Sequence, residues 1–433
     1  MSSFDALAYL HDLPQYANVA DDAYAPGLGR MEALMDEMGH PHRSLRIVHV
    51  AGTNGKGSVA SMVAAIATAA GLRTGLHTSP HLTHITQRMC IDGTPAPTDW
   101  LADAVARYRP LFERVEPSFF EVTVALTFEY FAEQQVDLAV VEVGLGGRLD
   151  STNVLHPALS LITHVDLDHT DLLGDTLAAI AREKAGILKT GVPALMGVTQ
   201  DEAKQAIAEV AADTDAPLRH IRDDVSWRAP HTDLTGSVLD VETPVRAYDR
   251  LRLPLPGRHQ QANAALALRA AEVVVPALQF RPDAAHNGLR HLRDYTGFRG
   301  RTEVLQDRPL VVVDVAHNPP GIRAALDTIR PELQKRGGTL YVCLNAVRGK
   351  SLDETARLLA DHDAHVTPIP IDTKRALSTD EIAERCRAQG VHVNEAQPLD
   401  EALTHFQRTA NPDDALLITG SHKLVDILPP DWA

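Results

Sequence analysis

The sequence predicts an α/β fold in two successive domains, each a mostly parallel sheet covered by helices. Three observations predict it. A short β-rich run at 45–50, an apolar strand at 138–143 and another strand at 159–165 alternate with segments of helical period at 58–70, 119–133 and 176–188. Strands that are apolar on both faces must be buried on both faces, as in a parallel sheet flanked by helices. The alternation restarts after Gly300, with apolar runs at 310–315, 339–344, 365–369 and 415–419. Between the two sets lies an aperiodic Gly- and Arg-rich stretch, 295–301, which sets domains of 1–297 and 298–433.

In chain order, the first 44 residues read as short helices, around 4–10 and 28–38, the second ended by Gly39 and Pro41. The run 45–50 is then a strand, followed by a Gly-rich turn and a small-residue helix, 58–70, that Gly71 stops. The strand 138–143 runs into Gly144-Leu145-Gly146-Gly147. Residues 215–255 are polar, turn-rich and β-leaning, and predict a small antiparallel sheet or flap. Helical patterns return at 261–275 and 283–293, and there is no internal repeat or low-complexity tract.

Composition narrows the function. A chain of 433 residues holds two or three domains, and 44% apolar with 23% charged residues is ordinary for a globular protein. With 41 basic against 57 acidic side chains the formal charge is −16, which excludes a general nucleic-acid binder because such proteins need a basic face. A phosphate ligand stays open, since a cluster of backbone N–H groups with one lysine can hold it inside an acidic protein. Cys90, Cys343 and Cys386 are far apart and form no metal-binding pattern, as expected of thiols in a reducing compartment. The chain opens without a basic start and apolar run, and no stretch approaches the ~18 apolar residues of a membrane span. The expectation is a cytoplasmic protein with no membrane partner.

The strongest local signal is Val50-Ala51-Gly52-Thr53-Asn54-Gly55-Lys56-Gly57-Ser58. Glycines let the backbone curl so that N–H groups point inward, a helix N-terminus adds partial positive charge, and Lys56 adds a full one. This suits a nucleoside triphosphate and makes the first domain P-loop-type. The loop departs from the strict P-loop pattern: only Thr53 and Asn54 separate the first Gly from the Gly-Lys pair, and Gly57 precedes Ser58. Glu142 ends an apolar strand before a Gly-rich turn, where an α/β sheet presents ligand groups.

At this loop the sequence resembles the Mur-ligase superfamily, and its Gly-Ser ending resembles the folylpolyglutamate synthase branch. Further matches follow in the family's order: Thr78-Ser79-Pro80-His81-Leu82, Ser118-Phe119-Phe120-Glu121, Glu142 through Asn153, Asp168-His169, Glu183-Lys184-Ala185-Gly186-Ile187, Leu255 through Gln260, and Asp314-Val315-Ala316-His317-Asn318-Pro319. The resemblance implies a Mur-ligase central-domain-like first domain with an N-terminal folate-binding segment, and a smaller Rossmann-like second domain that binds glutamate. It implies Ser79, Glu142 and His169 as Mg²⁺ ligands for two ions, with Asp166 and Asp168 as oxygen-bearing alternatives to His169. Ser58 is a weaker candidate by analogy with the P-loop hydroxyl. Lys184 would be carbamylated, its new carboxylate helping to hold the second ion. Asn263, Arg301 and Asp314 would grip ATP from the far side, with Arg301 reaching the phosphates on domain closure, and His317 would orient the incoming glutamate.

The implied acceptor pocket comprises Ser118, Phe119, Phe120, Glu121, Leu149, Asp150 and Ser151; one of the two phenylalanines is expected in the helix core because adjacent helical residues face apart. The N-terminal stretch 21–30 is where the pterin-binding difference is expected. The implied activity is ATP- and Mg²⁺-dependent addition of L-glutamate to dihydropteroate, to tetrahydrofolate polyglutamates, or to both. It would proceed through an acyl phosphate on a monomeric enzyme. The alternatives are a cell-wall amino-acid ligase of the same superfamily and, from another class, a P-loop NTPase switch.

Overall fold

The computed structural model describes residues 3–14, 27–275, 281–429 and 432. The chain divides into two compact units: Met1–Arg228 with Leu239–Leu253 and Gln261–Phe298, and Ala229–Val238 with Pro254–Gln260 and Arg299–Ala433.

Among the described residues the first sheet contains β1 (Ile47–Ala51), β2 (Thr74–His77), β3 (Met89–Ile91), β4 (Thr94–Pro95), β5 (Leu138–Glu142), β6 (Leu159–Ile162), β7 (Ala194–Met196) and β8 (Leu218–His220). Their order is β4-β3-β2-β5-β1-β6-β7-β8, parallel from β2 to β8 with the β3 and β4 edge antiparallel. Every residue of β1 and β5 is buried, the polar His49 and Glu142 included, as strands covered on both faces require. Register pairs Val50 with Glu142 and Ala51 with Ile162, so β1, β5 and β6 end level with one another. Open α/β sheets bind ligands at this edge.

The helix Lys56–Ala69 follows β1. Its small side chains let it sink into the unit, and Gly57 through Ala67 are all buried. The helix Phe119–Glu133 is started by a capping box between Ser118 and Glu121 and buries Val122, Phe128 and Phe131. Burial of such side chains contributes roughly 1.5–3 kcal/mol each.

A three-stranded sheet, β11-β10-β9, is formed by β9 (Ser226–Asp233), β10 (Gly236–Glu242) and β11 (Ala247–Leu253). The third sheet contains β12 (Glu303–Gln306), β13 (Leu310–Val313), β14 (Leu340–Leu344), β15 (His365–Pro368), β16 (His392–Val393) and β17 (Ala415–Thr419). Its order is β12-β13-β17-β14-β15-β16, parallel except for β12. Leu310, Val312, Leu326, Val342 and Leu417 lie in its core.

The expected α/β architecture and parallel sheets are present. The sequence pattern missed β2, β3, β4, β7, β12 and β16, which are two to four residues long and too short to show a period, and the helix Thr98–Val115; β8 falls in the stretch expected to be antiparallel but pairs parallel with β7. The helix expected from Ser58 starts at Lys56, because Gly55 takes a left-handed backbone (φ 85°) and caps it. No helix among the described residues is long and apolar enough to cross a membrane. Within the stretch 21–30, residues 21–26 lie outside the described residues.

Candidate nucleotide and acceptor site

The loop after β1 is braced from the loop after β6. Thr53 N–H donates to His164 O (2.6 Å), Thr53 Oγ1 donates to Asp166 O (3.1 Å), and Asp166 N–H donates back to Thr53 Oγ1 (3.0 Å). Thr163 Oγ1 lies 2.7 Å from Asn54 O and 3.3 Å from Ala51 O. Gly52 has φ 153°, and a Cβ there would run into Thr163 Oγ1. Lys56 Nζ curls back over the loop, donating to Gly52 O (3.0 Å) and Thr53 O (3.2 Å). Ser58 is buried one turn into the helix. Asn263 approaches the same loop, since a Cβ on Gly55 would lie 2.8 Å from its Oδ1.

Lys184, on the helix Leu177–Ala185, is 3% exposed and donates from Nζ to Gly52 O at 3.0 Å. A buried lysine therefore holds the loop from below. Its helix packs onto the turn after β5, where Arg148 N–H donates to Glu183 O (2.8 Å).

Glu142 ends β5 and is buried. Its Oε2 accepts the Ser79 N–H at 3.2 Å, and a Cβ on Gly57 would lie 3.4 Å from the same oxygen. The structure thus brings Glu142, Ser79 and the start of the nucleotide-loop helix together. His169 is half-buried with a left-handed backbone (φ 50°), caps the turn Thr170–Leu173, and donates its N–H to Asp168 Oδ1 (2.9 Å). Burial pushes the Asp166 carboxyl up, but hydrogen bonds from His164 and the Leu167 N–H outweigh it and leave it below the usual range. Among the described residues no three His, Cys, Asp or Glu side chains gather as a metal cage.

The acceptor residues divide. Phe119 is buried in the core, with the Arg88 guanidinium 5.2 Å from its ring centroid. Phe120 is half-buried against Gly144, where a Cβ would meet its ring, and lies 6.3 Å from His77. Both Glu121 oxygens are engaged: Oε2 accepts Ser118 N–H and Oγ–H at 2.7 Å each, and Arg30 Nε donates at 3.1 and 3.0 Å. Asp150 is also held by its own loop, accepting Leu145 N–H (2.9 Å), Thr152 N–H (3.0 Å) and the Thr152 hydroxyl. Burial raises its pKa and these bonds oppose the rise. Leu149 and Ser151 beside it are half-buried.

Three residues of this region carried no local sequence signal. Arg88, 7% exposed, donates Nε–H to His81 Nδ1 (2.9 Å); burial lowers its pKa to about 10 against the opposing charge of Glu142. Thr163 holds the loop. His49, fully buried on β1, lies 2.8 Å from the Thr152 hydroxyl that bonds Asp150, and burial lowers its pKa to about 3.

In the second unit, Asp314 follows β13 and accepts Thr302 N–H (2.8 Å), Thr302 Oγ1–H (2.9 Å) and Ala316 N–H (2.8 Å). His317 is exposed, with Nδ1 3.1 Å from Val315 O. Asn318 caps the next helix through Gly321 N–H (3.0 Å). Arg301 is half-buried and donates to Gly300 O (3.1 Å).

A braced phosphate-type loop at the carboxyl edge of a parallel sheet, a buried carboxylate beside it and a second α/β unit define an ATP-dependent ligase of the Mur type. The Mur ligase middle domain model matches residues 50–271, and that of the Mur ligase glutamate ligase domain matches 300–422. Folylpolyglutamate synthase of Lacticaseibacillus casei is 33% identical, over 97% of this chain and 96% of its own. The dihydrofolate synthase/folylpolyglutamate synthase of Bacillus subtilis is 32% identical over 92% of each. The structure of Mycobacterium tuberculosis folylpolyglutamate synthase with ADP and AMPPCP superposes with a TM-score of 0.85 at 31% identity, covering 98% of both chains. A folylpolyglutamate synthase complex with AMPPCP and folate gives 0.81 at 32%, also covering 98% of both chains. The chain belongs to the folylpolyglutamate synthase/dihydrofolate synthase family of Mur ligases.

Proposed function

We propose that the protein adds L-glutamate to the carboxylate of dihydropteroate, of reduced folate polyglutamates, or of both, at the expense of ATP. The observation that carries the reading is the meeting of the Gly52–Ser58 loop with Glu142 and Ser79 at one sheet edge. A carboxylate oxygen is a poor leaving group, so the acid must be activated. Transfer of the ATP γ-phosphoryl group gives an acyl phosphate, whose carbon the glutamate amine attacks as phosphate leaves. Lys56, on the loop that would hold the triphosphate, supplies positive charge as the phosphoryl group moves. Phe120 offers a flat apolar face for the pterin ring. Asn263, Arg301 and Asp314 would hold ATP, and His317 the incoming glutamate.

The donor set fits magnesium: the Glu142 carboxylate and the Ser79 hydroxyl are hard oxygen ligands, and this ion is ordinarily held by one or two carboxylates with substrate phosphates. When bound it would neutralise triphosphate charge. His169 is a less usual ligand for it. Carbamylation of Lys184 would start from its neutral amine, and its side chain is buried beside the nucleotide loop. The test is an assay of purified protein with dihydropteroate and with tetrahydrofolate, each with ATP and glutamate. ATP turnover that requires both glutamate and a pterin acid is expected; turnover that ignores either one would refute the reading.

A further inference from the structure

The loop after β14 and the loop after β15 are tied together. Val347 bridges Ala376, Arg348 N–H donates to Arg375 O (2.8 Å), Arg375 Nη2 donates to Arg348 O (2.9 Å), and Leu377 N–H donates to Ala346 O (2.9 Å). Beside them lies an open depression of about 350 Å³ lined by Arg348, Gly349, Lys350, Leu377, Glu381 and Arg385. It lies at the carboxyl edge of the parallel strands, the edge from which Asp314 follows β13 and Ser421 follows β17.

We propose that this depression binds the α-carboxylates of γ-linked glutamates already present on a folate acceptor. The inference rests on the folate reading above. Each γ-linked residue leaves its α-carboxylate ionised, so a growing tail is a polyanion. A protein of charge −16 repels it except where cations are concentrated. Three cations face the depression against one carboxylate, and that carboxylate, Glu381, is paired with Arg385 at 2.9 Å. Arg385 is further steered by Asp353 at 3.8 Å, and Arg348 is exposed. The volume, about 350 Å³, falls at the low end of the roughly 300–1,000 Å³ of small-molecule pockets. A pterin or purine ring would find only Leu377 to pack on. The ammonium of free glutamate would find Glu381 already paired with Arg385.

The test is titration calorimetry at low salt with pteroylmonoglutamate, which has no γ-linked residue, and pteroyltetraglutamate, on wild type, Arg348→Ala and Arg348→Glu. Wild type should bind the tetraglutamate more tightly. Loss of one exposed charge should weaken that form about two- to fivefold. Charge reversal should close the gap, with monoglutamate affinity unchanged, and added salt should shrink the wild-type gap. Equal wild-type affinity for the two folates would overturn the proposal. So would a variant that weakens both equally, or one that raises only the KM for free L-glutamate. A wild type that keeps the gap but makes no amide supports the depression as the tail site and refutes the proposed reaction, so the two failures are distinguishable.

Discussion

Replacing Glu121 separates a structural carboxylate from a substrate contact. Its side chain is 4% exposed and its partner Arg30 is 33% exposed. It closes the capping box of the helix Phe119–Glu133 and receives Arg30 on both oxygens. Loss of a cap costs about 1 kcal/mol. Removing one partner of a fully buried ion pair costs about 3–5 kcal/mol, but Arg30 can turn to solvent, which discounts this to roughly 1–2 kcal/mol. Glu121→Ala should therefore destabilise by about 2–3 kcal/mol. At about 2–4 °C per kcal/mol for units of this general size, Tm should fall by roughly 4–12 °C. Glu121→Gln keeps an oxygen for the Ser118 N–H, so it should lose only the ionic part, about 1–2 kcal/mol. Thermal melts followed by steady-state assays at a temperature where both variants are folded are the check. The expected result is a graded loss of Tm with nearly normal KM for the acceptor. Wild-type melting with a large rise in acceptor KM would refute the structural reading and make Glu121 a substrate ligand.

Gly57→Ala should raise stability by up to about 1 kcal/mol, as Gly→Ala does in helices, yet increase the Mg²⁺ concentration needed for half-maximal rate, because the methyl would stand 3.4 Å from Glu142 Oε2. An unchanged Mg²⁺ titration would separate Glu142 from the metal. Lys184→Met keeps the buried stem but removes one of the two lysine donors to Gly52 O, Lys56 Nζ being the other, so a loss of about 0.5–1.5 kcal/mol and of ATP turnover is expected by melting and by ATPase assay. Burial holds the His49 imidazole neutral with a pKa of about 3, against 6.5 when unfolded. Between those values the unfolded chain binds a proton that the folded one refuses, so this histidine's contribution is intact above pH 6.5. It is lost on acidification by up to about 1.4 kcal/mol per pH unit. Melts at pH 7.5 and 5 should show a shallower loss for His49→Asn than for wild type; equal slopes would contradict the burial argument.

The sheets were legible because their strands are buried on both faces. Runs such as Leu138-Ala139-Val140-Val141 need no partner to be recognised, and the loop around Lys56 announces itself by glycine placement alone. What holds that loop was not legible. Thr163 and Asp166 lie more than a hundred residues from their partners, and Arg88 is buried from within a polar stretch. Periodicity and turn chemistry report neighbours three or four residues apart, and contacts at this separation leave no such trace.

The carboxylates show why motif order and ligand contact are different things. Glu121, Asp150 and Asp314 each stand at the start of a helix or turn; Glu121 accepts from the N–H and hydroxyl of Ser118 three residues before it, and Asp150 and Asp314 accept from backbone N–H groups two residues after them. A short polar acceptor there satisfies N–H groups that the element leaves unpaired. Their recurrence in a motif is therefore accounted for by loop shape before any ligand is invoked. Glu142 differs: it closes a buried strand, caps no helix, and faces a glycine whose missing side chain leaves room beside it. Its carboxylate accepts the N–H of Ser79, itself a candidate ligand, rather than closing its own turn. Among the four acidic residues, the argument for a cation is strongest at Glu142.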